Sequence, residues 1–95
     1  MRVEIKPSTS KGKKYMAIFY DGDKKVKTTH FGAAGMSDFT KHRDEERKQR
    51  YLDRHRAREN WNDKFSAGAL SKFILWNKPT LSASIADYKK HFNLK

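Results

Sequence analysis

The stretch YMAIFYDGDKKVKTTHF (15–31) decides the fold. Its first six residues, Tyr15 to Tyr20, are apolar on both faces and rich in aromatics, which suits a central strand better than an edge. Asp21-Gly22-Asp23 then reads as a hairpin turn, with Gly22 supplying the positive φ that such turns need. Lys24 to Phe31 is the return strand. Working outward, RVEIK (2–6) alternates Val3 and Ile5 with charged neighbours, the pattern of a half-buried strand. PSTSKGKK (7–14) breaks that pattern with Pro7, Gly12 and three lysines and reads as an exposed basic loop. The simplest topology is a three-stranded antiparallel meander that ends at a flexible connector, Gly32-Ala33-Ala34-Gly35.

Beyond the connector the period changes. RDEERKQRYLDRHRAR (43–58) is built of strong helix formers, acidic at its start and basic at its end, as the helix dipole favours. After a break at Asn60-Trp61-Asn62-Asp63, Ser66 can cap a second helix in which Leu70, Phe73 and Ile74 share a face. Asn77-Lys78-Pro79 stops it. Thr80 can cap a third helix whose apolar stripe is Leu81, Ile85, Tyr88 and Phe92. The expected fold is therefore α+β, a three-stranded antiparallel meander followed by about three helices packed on one face. One domain is expected over 1–95, with a β-meander half (1–35) and a helical half (36–95).

Composition narrows the class. A chain of 95 residues has room for one core, and its six Phe, four Tyr and two Trp are too many for a disordered basic tail despite a mean hydropathy of −1.03. With no Cys there is neither a disulfide framework nor a thiolate metal site. No apolar run reaches the roughly 18 residues a membrane span requires, and MRVEIKPSTS lacks the apolar core of a secretory signal. The expectation is a soluble, intracellular protein with no membrane partner.

Twenty-two Lys plus Arg against eleven Asp plus Glu give a net charge of +11, which calls for a polyanionic partner. Two sets of cations are candidates for it. Arg43, Arg47, Arg50, Arg54 and Arg58 recur at spacings that align them on one face of the predicted long helix, where guanidinium forks can each bond two phosphate oxygens. The competing reading is a solvated face laced by i, i+4 pairs such as Asp44 with Lys48 and Glu46 with Arg50. Lys11, Lys13, Lys14, Lys24, Lys25 and Lys27 form the second set, expected to gather on one loop and its neighbouring hairpin and to follow a phosphate backbone without reading its sequence. Those lysines could equally serve to protect an edge strand from aggregation. Residues 1–35 carry a surplus of +5, 36–64 of +2 and 65–95 of +4, so most surplus charge lies outside the arginine helix.

The remaining candidates are weak. Tyr15, Phe19, Tyr20 and Phe31 could stack bases, but so short a chain needs its aromatics in the core. Trp61 and Trp76 suit the ends of helical segments, each sealing the core while its N–H meets a backbone carbonyl. His30, His42, His55 and His91 lack metal-site spacing. Asp44, Glu45 and Glu46 are explained by a helix start without Mg²⁺ chemistry, and no nucleophile motif surrounds Ser66, Ser71, Ser82 or Ser84. No catalytic site, no metal and no cofactor are expected, and the protein is not expected to be an enzyme.

DFTKHRDEERKQRYLDRH (38–55), Trp61 and AGALSKFILWNKPTLSASIADYKKHF (67–92) resemble a small family of uncharacterised proteins encoded by large double-stranded DNA viruses of algae and amoebae and by some of their protist hosts. The resemblance runs from about His30 to Phe92, with HFGAAGMSDFT (30–40) leading into its helical half. That family carries no assigned activity, so the resemblance implies context and not chemistry. It implies a viral or virus-derived protein near a large DNA genome, in the host cytoplasm or nucleus or in a virion. Two functions are compatible with all of this. The first is a nucleic-acid-binding accessory protein of little sequence preference, DNA ahead of RNA, acting in condensation, packaging or a virus factory. The second is a structural or adaptor protein, such as a minor virion component, docked on an acidic protein surface.

Overall fold

A computed structural model describes residues 1–95. Three strands, β1 (Arg2–Pro7), β2 (Lys13–Asp21) and β3 (Lys24–Ala33), form an antiparallel sheet in the order β1-β2-β3. The apolar alternation read from the sequence sets the register, because Val3 faces Phe19, Ile5 faces Ala17 and Tyr15 faces Phe31 on one side of the sheet. A bulge at Phe19/Tyr20 leaves Val26 unmatched and exposed near the hairpin. No helix is long and apolar enough to cross a membrane.

Helices follow: α1 (Phe39–His42), α2 (Glu45–His55), α3 (Ala67–Leu70), which runs on into a π-helical turn (Ser71–Leu75), and α4 (Leu81–His91); α3, the π-turn and α4 pack on that apolar side. The fold class is the expected one, with a one-turn α1 added. The predicted caps are in place, since Ser66 accepts from the Ala69 N–H at 3.0 Å and Thr80 from the Ala83 N–H at 3.2 Å. Phe19 and Phe31 from the sheet meet Leu70, Ile74 and Tyr88 from the helices, all fully buried. Burial raises the Tyr88 phenol above its ordinary range, and its O–H donates to the Lys64 carbonyl at 2.6 Å. Behind α4 the chain returns to β1, where the Val3 N–H donates to the Lys95 carbonyl and the Lys95 N–H to that of Met1.

Three boundaries differ from the sequence reading. The long helix is shorter at both ends, 45–55 in place of 43–58, because Asp44 takes the N-cap and accepts from the Glu46 and Arg47 N–H groups. The second helix is not regular: the Trp76 N–H reaches back five residues to the Ser71 carbonyl, a π-bulge of the kind that re-aims side chains. It leaves Leu75 buried while Trp76 turns toward α2. The supposed connector also begins inside the sheet, because Gly32 and Ala33 belong to β3.

Gly32 ties these parts together. Its φ is +79°, and a Cβ added there would sit 2.8 Å from Leu75 Cδ1 and 3.1 Å from Lys14 Cβ. Gly32→Ala therefore meets both a left-handed backbone and a core clash, and should destabilise the protein by about 1–3 kcal/mol. The urea midpoint should fall with an unchanged slope; an unmoved midpoint would show that strand and π-turn are not locked at this point.

Candidate functional site: a cationic groove

The structure divides the lysine set in two. Successive turns of a meander lie at opposite ends of the central strand, so the 8–12 loop and the Asp21–Lys24 hairpin cannot share a surface. Lys13 pairs with Ala33 and Asp21 with Lys24, eight residues apart along β2, or about 26 Å at the usual rise. Lys24, Lys25 and Lys27 stand exposed at the hairpin end, while Lys11 and Lys13 are exposed at the other. Lys14 is not a free cation. Its ammonium is mostly buried and donates to the Asp38 carboxylate and to the Met36 carbonyl.

The arginine set is corrected at its two ends. Arg43 precedes α2 as the left-handed C-cap of α1, with φ of +54°, and its Nε donates to the Pro79 carbonyl at 3.1 Å. Arg58 lies in the turn after α2. Asp44, Arg43's neighbour and the helix cap, prefers the non-helical backbone that stops the helix from starting earlier. Arg47, Arg50 and Arg54 remain, exposed and within an arc of roughly 60° on α2. No carboxylate lies within ion-pairing distance of any of them; the Lys and Arg pairs along α2 and its C-cap are instead Lys48 with Glu45 and Arg56 with Asp53, each at 3.9 Å. The expected Asp44–Lys48 and Glu46–Arg50 pairs do not form.

These three arginines line a groove of about 540 Å³ together with Lys13, Lys14 and Gly32 from the sheet. The end of the sheet thus contributes Lys13 to the same groove to which α2 contributes its arginines. Two carboxylates border it, and both are already engaged. Asp38 is held by Lys14 and by the backbone and side chain of Thr40. Glu59 accepts from the Trp61 indole N–H at 3.0 Å and lies 2.9 Å from His55 Nδ1. Trp61 therefore meets a carboxylate where a backbone carbonyl was expected. Gly68 makes room for Glu59, since a Cβ at that position would lie 2.8 Å from its Oε2. The groove is left with an excess of unpaired positive charge.

α2 has no fully buried residue, so its position depends on a few specific contacts. The Lys48 ammonium donates to the Asn77 carbonyl at 2.8 Å and sits 4.6 Å above the Phe39 ring. Tyr51 stacks on Trp76 with ring centres 4.4 Å apart and planes 7° from parallel. His55 covers the other face of Tyr51 at 4.1 Å, and His42 lies 5.3 Å beyond Trp76. The result is a column of three stacked rings, Trp76, Tyr51 and His55, along the foot of α2, with His42 tilted by 51° against the Trp76 end. Burial, with the Glu59 carboxylate adding to it, pushes the Tyr51 phenol up to about 12, so it stays protonated. The i, i+4 spacing of Tyr51 and His55 was a legible signal for part of this column. The rest depends on the π-turn, which leaves no mark in the sequence.

Chemically the groove can bind anions and cover a flat ring. No three His, Asp or Glu side chains converge as a metal site would require. A model described as a family of unknown function (DUF5754) matches residues 3–55, and so spans all of the sheet but Arg2, with α1 and α2. It overlaps the resemblance noted from the sequence over 30–55 and leaves α3 and α4 outside. No curated protein and no solved structure matches the chain.

Proposed function

The chain belongs to the DUF5754 family of unknown function, and from its groove we propose that it is a non-enzymatic nucleic-acid-binding protein of little sequence preference. One observation carries the reading: Arg47, Arg50, Arg54 and Lys13 face one groove with no free carboxylate among them. Arg47 and Arg54 are separated by about 10 Å along the helix axis, over which one strand at a B-form rise of roughly 3.4 Å presents about three phosphates. Guanidinium groups so arranged position a backbone without reading bases. The resemblance of residues 38–55 and 67–92 supports a setting near a large viral DNA genome, in the host cytoplasm or nucleus or in a virion, with DNA preferred over RNA.

Counterion release tests this directly. Four phosphate contacts on a single strand predict a log–log slope of affinity on salt of about −3. Fluorescence anisotropy with labelled oligonucleotides across a salt series measures it. Absence of binding at low salt, or a slope near zero, would reject nucleic acid as the partner and favour docking on an acidic protein surface.

A further inference from the structure

We propose that the groove takes an unpaired strand, with one base stacked on His55 and the adjoining phosphates on Arg47, Arg50, Arg54 and Lys13. This rests on the nucleic-acid reading above and narrows it to single-stranded substrate. Four observations lead to it.

Cations from the sheet and from α2 line one groove of about 540 Å³, a volume in the range of small-ligand sites. A duplex presents its phosphates on the outside of a cylinder about 20 Å wide and cannot enter a space of that size, whereas a single strand can lie in it. The helix itself is also unsuited to a major groove. An α-helix docked there presents a cationic face, but here the arginines line the groove and the exposed acids Glu46 and Asp53 lie beside Arg50 on α2.

The third observation is the ring column. Tyr51 is covered on both faces, by Trp76 and by His55, and offers no platform. His55 ends the column: one face lies on Tyr51, no ring lies on the other, and the residue both lines the groove and is partly exposed. A base placed there continues a stack that already has Tyr51 and Trp76 behind His55. Fourth, the imidazole is held for this use, because Nδ1 meets Glu59, which is in turn fixed by the Trp61 indole and seated against Gly68. Ring stacking tolerates every base, in keeping with binding of little sequence preference.

Anisotropy with an oligothymidylate of about ten nucleotides, the same length with an abasic site at every position, and a hairpin duplex of equal phosphate number tests the proposal at one fixed salt concentration. The thymidylate should bind about tenfold or more tighter than either competitor, since base–aromatic stacking is worth roughly five- to hundredfold per base. His55→Ala should bring thymidylate affinity down to that of the abasic strand, and His55→Tyr, which keeps a ring but loses the Glu59 contact, should restore most of the difference. The abasic probe needs no mutant, so the outcome does not depend on whether His55→Ala folds. Equal affinity for thymidylate and hairpin, or for thymidylate and abasic strand, overturns this inference while leaving the general nucleic-acid reading in place. Failure of all three probes at low salt overturns both.

Discussion

Asp38→Ala is expected to lower the stability of the protein by about 3–5 kcal/mol, a large share of the 5–15 kcal/mol typical of a small domain. Asp38 is 1% exposed. One carboxylate oxygen accepts from the Lys14 ammonium, the other from the Thr40 N–H at 3.0 Å and from its hydroxyl. Removing the carboxylate strands a largely buried ammonium beside the Met36 carbonyl and uncaps α1 at the same time. The cost comes from the orphaned charge and not from a strong net attraction, which gives the prediction a sharper form. Lys14→Met combined with Asp38→Leu should recover most of the stability, leaving a deficit of about 1 kcal/mol for the missing cap. Chemical denaturation of Lys14→Met, Asp38→Leu and the double variant measures the coupling. Additive effects would mean that the ion pair is solvated and that the segment Met36–Asp38 is not anchored to β2.

That ion pair also marks where sequence reading stops. Strand order, hairpin, caps and the apolar stripes were legible because each depends on neighbours two to four residues away, and Val3, Phe19, Leu70, Ile74 and Tyr88 sit where those periods put them. The groove depends on contacts of long sequence separation. Lys14 meets Asp38 24 residues on, and Lys48 meets Asn77 29 residues on. From composition alone Lys14 is one more surface cation, and nothing local distinguishes it from Lys13, which stays exposed. The arginine stripe was half legible for a related reason. Helical spacing aligns Arg47, Arg50 and Arg54, but whether they face solvent, acids or a cleft is decided by Trp76, whose direction comes from a π-turn that local propensities do not encode.

Replacing Arg47, Arg50 and Arg54 together by Gln should weaken nucleic-acid binding on the order of 100-fold at low salt and make the salt dependence shallower by about two log–log units. Each partly exposed charge-assisted hydrogen bond to a phosphate contributes about 1 kcal/mol, and each 1.4 kcal/mol is a factor of ten. Three fewer neutralised phosphates on a single strand, at about 0.7 unit each, account for the slope. Gln is nearly as good a helix former as Arg, and none of the three makes an ion pair in the folded protein, so α2 should persist and the far-ultraviolet spectrum should not change. Lys24, Lys25 and Lys27→Gln removes the same formal charge from the other end of the sheet. If the groove is the site, this control costs only the diffuse attraction of three distant charges, a few-fold at low salt and less as screening increases. Equal weakening in the two variants would mean that net charge and not the groove binds the polyanion. Weakening confined to the hairpin variant would move the site to the exposed end of β3, where bulge and lysines would then have a function beyond guarding an edge.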